Sequence, residues 1–386
     1  MKILFLTPIF PWPLISGGQI RAYNLLKELA KNHQVTLVAY IRNENEKQYI
    51  SQIQRICQQV YVIHRQHNPW QFQSLVRTFF SLKPLIMNLY GLNKPLIENI
   101  KGYDAIYCEC FYLMDKIPLD SPSIYLSEQN IEYLAYQSYV HVLPFWKKII
   151  LWVPMKIDIL KMKIWEIKSW HRAHKIAVMS LNDKKIIEEQ TGRSDIVIVP
   201  NGVDSSHFTS KNIGPTGNIL FVGNFSWFQN VQAVEWLIKE IFPKIIKKVP
   251  SAKLLIVGKK APKWLFNYLN DAISLNDKVD DIRDIYQITD ILLAPLRSGG
   301  GTRYKILEAM VNHIPVVTTS IGAEGLDAKL MIIKDSTDEI VDAVEDILKN
   351  PVKYSKMVDY AKEFVVNNYD WKIIGAKLEK FLNDNG

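Results

Sequence analysis

The run Ser298-Gly299-Gly300-Gly301-Thr302-Arg303-Tyr304-Lys305-Ile306-Leu307-Glu308 gathers the residue types that hold a diphosphate. It follows the apolar stretch Ile291–Leu296, which reads as a strand, and it opens a stretch with helical spacing. Glycines let backbone N–H groups approach an anion closely, and the helix N-terminus adds the positive end of its dipole. Arg303 and Lys305 supply the cations that suit phosphate. Glu308 falls about one and a half turns into the helix, where a carboxylate can accept hydrogen bonds from ribose or sugar hydroxyls. A tight strand–helix turn is the plainer reading of the glycines alone. It does not account for two cations and a carboxylate so close behind them.

Two further constellations follow predicted strands. Ser16-Gly17-Gly18 comes after the first strand and an extended Pro8-Ile9-Phe10-Pro11-Trp12-Pro13 stretch, and again opens a helix. The polar run Ser127-Glu128-Gln129-Asn130-Ile131-Glu132 lies at a predicted strand end, where catalytic groups are often placed. A helix cap in a loop is an equally good account of that run. The sequence lacks G-x-G-x-x-G after its first strand, G-x-x-x-x-G-K-[ST], H-E-x-x-H and G-x-S-x-G, which removes the usual warrants for dinucleotide oxidoreductases, P-loop nucleotidases, zinc proteases and serine hydrolases. Without an Asp-x-Asp pair, no metal is expected at the diphosphate, and no cofactor is expected. Arg303, Lys305 and helix dipoles would then neutralise a leaving phosphate.

These loops need rigid elements behind them, and the chain alternates strand and helix almost throughout. That pattern predicts α/β architecture with parallel sheets covered on both faces. Strands are expected at Lys2–Thr7, Gln34–Tyr40, Val60–His64, Asp104–Glu109, Ser123–Ser127, Lys175–Ser180 and Ile196–Pro200. A helix covers Gln19–Lys31, and a long basic helical region runs over 145–173, broken or kinked at Pro144 and Pro154. The segment Thr209–Gly217 reads as a linker. Alternation restarts with strand Asn218–Gly223, helix Val231–Lys248, strand Ala252–Gly258 and a helix near Pro262–Ala272. Strand Ile291–Leu296, helix Thr302–Asn312, strands Pro315–Ser320 and Leu330–Lys334, and helices near 338–349, 351–367 and 371–383 complete it. Two such doubly wound halves place function at the carboxyl ends of their strands, between the domains.

The 386 residues suit two domains, and 48% hydrophobic with 22% charged residues is the balance of a folded chain. Cys57, Cys108 and Cys110 make neither a disulfide framework nor a metal site, and Cys108 and Cys110 are expected to point the same way from one strand. No signal-peptide pattern or spanning run is present, so a cytoplasmic location is expected. Within His141–Lys175, eight Lys or Arg face two acids, with Trp146, Trp152, Trp165 and Trp170 among them. Cations beside indole rings suit an anionic bilayer surface, so region 145–175 is expected to rest on one as a peripheral contact. A solvated helix with its tryptophans turned to the core is the alternative. No nucleic-acid motif accompanies the charge, so no nucleic-acid partner is expected.

At these residues the chain resembles the family-4 retaining glycosyltransferases, particularly bacterial envelope and exopolysaccharide sugar transferases. The resemblance is carried by Ser16-Gly17-Gly18 with the following QIRAYNLLKELA, by VPNGVD at 199–204 and by ILFVGNFSWFQNVQAVEWLIKEIFPKI at 219–245. It continues through DDIRDIY at 280–286, APLRSGGGTRYKILEAM at 294–310 and IPVVTTSIGAEGL at 314–326. It implies a GT-B fold: two Rossmann-like domains, 1–200 on the acceptor side and 201–369 for the nucleotide sugar, with helix 370–386 packing back on the first. It further implies transfer from a nucleotide-sugar donor to a glycan or lipid-linked acceptor. Gly17 and Gly18 would then approach the donor phosphates, Gly300 and Gly301 the diphosphate and sugar, and Glu308 the ribose. Asn224 stands where such relatives carry a basic residue, Asn230 near where some carry a lysine, and Gln129 where a His is frequent. Gly300 replaces the first of two paired glutamates, and His313 stands where relatives usually have Gly. A GT-B epimerase or hydrolase, or a degenerate nucleotide-sugar sensor, would share the donor loop.

Overall fold

The computed structural model describes residues 1–65, 81–90, 100–142, 145–207, 216–279, 282–299 and 303–383. Packing divides the chain into two units: Met1–Pro200 with Ile374–Gly386, and Asn201–Ile373.

The first unit contains strands β1 (Lys2–Thr7), β2 (Gln34–Ile41), β3 (Gln59–His64), β4 (Ala105–Glu109), β5 (Ser123–Ser127), β6 (Lys175–Val178) and β7 (Ile196–Ile198). They form one parallel sheet in the order β3-β2-β1-β4-β5-β6-β7. β1 after Lys2 and all of β4 are buried, as expected of strands covered on both faces. Helices α1 (Gly17–Leu29), α2 (Ile50–Gln54), α3 (Glu132–Val142), α4 (Phe145–Arg172) and α5 (Leu181–Thr191) belong to this unit. The core joins Leu4, Leu6, Ile106, Leu126 and Ile176 of the sheet to Met162 and Trp170 of α4.

The second unit has β8 (Asn218–Val222), β9 (Lys253–Val257), β10 (Ile273–Asn276), β11 (Ile291–Ala294), β12 (Val316–Thr318) and β13 (Ile332–Ile333). This parallel sheet runs β10-β9-β8-β11-β12-β13. Its helices are α6 (Phe228–Trp236), α7 (Phe242–Lys248), α8 (Ile282–Gln287), α9 (Tyr304–Val311), α10 (Thr337–Lys349) and α11 (Ser355–Tyr369). A last helix, α12 (Trp371–Asn383), starts in the second unit and ends in the first. There Tyr125 donates to the Leu382 carbonyl at 3.1 Å and its ring meets Phe381 at 5.4 Å.

Several local expectations need correction. α4 continues across Pro154 without a break; Pro144 lies outside the described residues, as does most of the expected linker. The helix expected near Pro262–Ala272 is a 3₁₀ segment, Lys263–Tyr268, and strand β10 follows it. α6 and α7 are joined through a π turn at Leu237–Ile241, so the expected helix starts three residues early. Helices α2, α3, α5 and α8 had no counterpart among the expected elements. Cys110 lies beyond the end of β4 with φ 67°, so the two-residue strand period does not relate it to Cys108.

The end of α9 carries a testable strain. His313 N–H donates to the Met310 carbonyl at 3.1 Å and Ile314 N–H to Ala309 at 3.0 Å, the pair of bonds that closes a helix through a left-handed residue. That residue is His313, at φ 57°, where a Cβ is disfavoured and glycine is at ease. Its ring gains only a long 3.6 Å contact to exposed Asp359. His313→Gly is therefore expected to stabilise the protein by about 1 kcal/mol, read as a raised midpoint in urea denaturation.

Candidate functional site

In the second sheet β8 and β11 are neighbours, yet β9 lies beyond one and β12 beyond the other. This is the point where strand order reverses, and ligands of such sheets bind outside the carboxyl ends there. The segments leaving β8 and β11 carry the donor residues predicted for this unit, with Gly17 and Gly18 in the first unit.

Gly299 has φ 92°, a conformation natural to glycine, and a Cβ there would come within 3.3 Å of the Arg303 guanidinium. Gly300, Gly301 and Thr302 lie outside the described residues. Arg303 precedes α9, and its Nε and Nη2 are shielded from water without a hydrogen-bond partner. Burial lowers its pKa, with Glu324 opposing. Two residues on, the Lys305 ammonium donates to Asn230 Oδ1 at 3.0 Å and lies 5.0 Å from the Phe221 ring centroid. Desolvation first, and then the Arg303 charge, push Lys305 down to about 7, while Glu308 opposes them. Glu308 accepts a 2.8 Å bond from the hydroxyl of Tyr286, which is fully buried. Burial raises its pKa against the pull of Tyr286 and Lys305. The structure thus brings Gly299, Arg303, Lys305 and Glu308 together around one turn.

Asn224 is linked to that turn through Asn230, which accepts from Lys305. Asn224 Oδ1 accepts from Ser226 N–H at 3.0 Å and its carbonyl from Asn230 Nδ2 at 2.9 Å, so its side chain closes its own loop. Asn230 in turn packs on Gly223, where a Cβ would lie 2.9 Å from its Cγ. Tyr286 and Asn230 are the partners that sequence reasoning did not assign. Only the motif string around 280–286 pointed towards Tyr286, and nothing local marked its hydroxyl as a ligand of Glu308.

In the first unit Ser16 Oγ caps α1 through Gln19 N–H at 3.4 Å, placing Gly17 and Gly18 in its first turn. A Cβ on Gly18 would meet Ile9 Cδ1 at 2.8 Å and Gln129 Oε1 at 3.5 Å, so Gly18 and Gln129 stand together. The rest of the polar run divides. Glu128 is buried and accepts from Trp170 Nε1 at 3.1 Å, with burial pushing it up to about 8. It faces the core. Glu132 starts α3, and burial raises its pKa against nearby Tyr112 and Asn130. The Glu132 and Tyr133 N–H groups donate to Glu166 at 2.7 and 2.9 Å. That end of the run begins α3, and its first N–H groups are capped by Glu166 of α4, not by a side chain of the run.

The basic region divides likewise. Trp170 is fully buried, Trp165 packs on the core and donates to the Leu82 carbonyl, and Lys175 is buried. Arg172 donates to the carbonyls of Met114, Ile117 and Pro118. Exposed on α4 are Trp152, Val153, Ile157, Leu160 and Ile164 beside exposed Lys156, Lys163 and Lys168. The side chains of Trp146, Lys147 and Lys148 lie outside the described residues. Among the described residues, no helix is long and apolar enough to cross a membrane.

Residues 216–350 match the family model described as glycosyl transferases group 1. An uncharacterized 44.6 kDa protein in the cps region of Klebsiella pneumoniae is 26% identical, covering 98% of this chain and 99% of that protein. A phosphatidyl-myo-inositol mannosyltransferase of Mycobacterium tuberculosis is 25% identical over 48% of this chain and 53% of its own length. Among solved structures, S. aureus TarM in complex with fondaparinux, alpha-GlcNAc-glycerol and UDP is similar with a TM-score of 0.70 at 11% identity. That likeness covers 99% of this chain and 100% of that one. At such identity the likeness shows the fold, and the fold is GT-B. The family match favours sugar transfer over the epimerase, hydrolase and sensor alternatives. With that match over the unit that carries the glycine–arginine–lysine turn, and that fold along its length, the chain is a GT-B glycosyltransferase.

Proposed function

We propose that the protein transfers a sugar, with retention at the anomeric carbon and without a metal, from a nucleoside diphosphate donor to a glycan or lipid-linked acceptor of the cell envelope, as a family-4 type enzyme. The observation that carries this reading is Arg303: a desolvated guanidinium with two nitrogens unpartnered, beside Gly299 and two residues from a depressed lysine. A desolvated cation with unpartnered N–H groups is complementary to an anionic ligand. A diphosphate matches two cations, and the carboxylate of Glu308 suits the hydroxyls attached to it. UDP in the TarM complex and the cps-region relative support the donor class and the envelope pathway. Charge on Arg303 and Lys305 takes the part that a metal plays elsewhere. Calorimetry with UDP and GDP, followed by turnover of their sugars in excess chelator and NMR of the product anomer, tests it. Failure of both nucleotides to bind would refute the donor assignment.

The acceptor side of this reading is a peripheral enzyme on the cytoplasmic face of a membrane. Val153, Ile157, Leu160 and Ile164 recur at positions i, i+4, i+7 and i+11, which places them on one face of α4. Lys156 stands 5.7 Å over the Trp152 ring beside that stripe. An apolar stripe flanked by cations and an exposed indole suits the headgroup boundary of an anionic bilayer. Each such cation contributes about 1 kcal/mol near the surface, so Lys156→Gln is expected to weaken binding to phosphatidylserine-containing vesicles roughly fivefold. Sedimentation at two salt concentrations checks it, since the attraction must also fall with ionic strength. Wild-type protein that ignores these vesicles at low salt would remove the membrane reading.

A further inference from the structure

The first unit holds a carboxylate that no role described so far uses. Glu109 is the last residue of β4, is 0% exposed, and neither of its carboxylate oxygens has a hydrogen-bond partner. A buried polar group left unpaired is costly, and native structures seldom keep one without a reason.

Its position supplies that reason. In the order β3-β2-β1-β4-β5-β6-β7, the chain runs outward from β1 to β2 and β3 on one side and from β4 to β5 on the other. The reversal therefore lies between β1 and β4, and the binding crevice of such a sheet opens at their carboxyl ends. Thr7 ends β1, Glu109 ends β4, and Gln129 follows β5. The charge of the buried Arg21, and after it Thr7 and Gln129, favour the ionised form of Glu109, though Thr7 and Gln129 complete no hydrogen bond of normal geometry to it. Gln129 also reaches the place where a Gly18 side chain would be, which joins the Ser16–Gly18 turn to the same crevice. The backbone adds an independent sign. Cys110, immediately after Glu109, has φ 67° and ψ 143°, held by its N–H donating to the Ser127 carbonyl at 2.9 Å. A non-glycine residue in that region is strained, and such strain gathers at ligand sites.

We propose that Glu109 is the acceptor-binding carboxylate of the first unit, accepting hydrogen bonds from hydroxyls of a neutral polyol, the acceptor sugar, once the half-buried Gln129 side chain moves aside. This rests on the glycosyltransferase reading and names the chemistry of its acceptor end. A carboxylate accepts from hydroxyls and does not attract phosphate, so Glu109 itself suits a polyol where the Arg303 turn suits a diphosphate. Burial, which pushes Glu109 up to about 7, is relieved when a hydroxyl donates to it.

The test compares wild type, Glu109→Gln and Glu109→Asp. The probes are UDP, GDP and the octyl glycosides of glucose, galactose, mannose and N-acetylglucosamine, titrated by calorimetry and saturation-transfer NMR. Glu109→Gln is expected to melt no lower than wild type, because burial on balance disfavours the ionised carboxyl despite the opposing charge of Arg21. Its affinity for the nucleotides should stay within twofold, while its affinity for the glycosides that wild type binds should fall at least tenfold. Glu109→Asp withdraws the carboxylate by one methylene and should give a loss of the same kind, which keeps the question answerable if the Gln variant does not fold. Equal glycoside binding by wild type and either variant would overturn the proposal, as would a wild type that binds none of the four. A wild type that binds neither UDP nor GDP would instead bring down the transferase reading, on a measurement that Glu109 does not touch.

Discussion

Arg303→Ala and Lys305→Ala are each expected to lower kcat by about 10²-fold or more, with a smaller change in KM. As the bond from sugar to phosphate breaks, charge grows on the leaving diphosphate, and a fixed cation facing it acts mostly in the transition state. The cations are already desolvated before the ligand arrives, so their fields are little screened by water. Lys305 adds a pH signature. Its folded value lies near 7, far below an ordinary lysine, so at pH 8 the ligand-free side chain is largely neutral. A diphosphate favours the ammonium, and binding at pH 8 must take up a proton. Nucleotide affinity is therefore highest below about pH 7 and falls as pH rises through that value. The ligand-free fold behaves oppositely: between about 7 and the ordinary lysine value the unfolded chain binds more protons, so this group favours folding increasingly as pH rises. Calorimetry in two buffers of different ionisation enthalpy reads the uptake directly. Unchanged turnover in both variants would show that this turn does not face the leaving group.

Glu308→Gln is expected to weaken nucleotide-sugar binding itself, by about 1.5–3 kcal/mol or roughly 10- to 150-fold. The substitution keeps the shape and can keep the bond from the Tyr286 hydroxyl. What it removes is the charge that strengthens hydrogen bonds from the donor hydroxyls. Because burial already disfavours the ionised form, the variant should fold at least as stably, and lost affinity cannot be ascribed to unfolding. Removing the 2.8 Å support with Tyr286→Phe should give a smaller loss, since the carboxylate remains and only its orientation loosens. Titration of UDP-glucose and GDP-mannose into the three proteins separates these outcomes. Equal donor affinity in wild type and Glu308→Gln would remove Glu308 from the site.

Much of the fold could be read directly, and the reason is parallel-sheet packing. Strands buried on both faces need near-continuous apolar runs, so Lys2–Thr7, Ser123–Ser127 and Asn218–Val222 announced themselves. β10 did not. Its Ile-Ser-Leu-Asn is short and half polar, and the Trp264, Leu265, Tyr268 and Leu269 before it mimic a helical stripe. Pairing with β9 decides that segment, and pairing lies outside any local window.

The site divides in the same way. Which residues carry charge and freedom of backbone was set by the residue types and spacing of Gly299, Arg303, Lys305 and Glu308, because a turn followed by a helix brings such close neighbours together whatever surrounds them. Whether a charge meets water, core or a partner depends on chains of residues far apart in sequence. That is why only the tertiary structure turned Glu128 inward to Trp170, closed the loop of Asn224 on itself and buried Trp170 while leaving Trp152 exposed. It also set Tyr286 against Glu308 and left Glu109, an unremarked strand end, as a buried carboxylate without a partner.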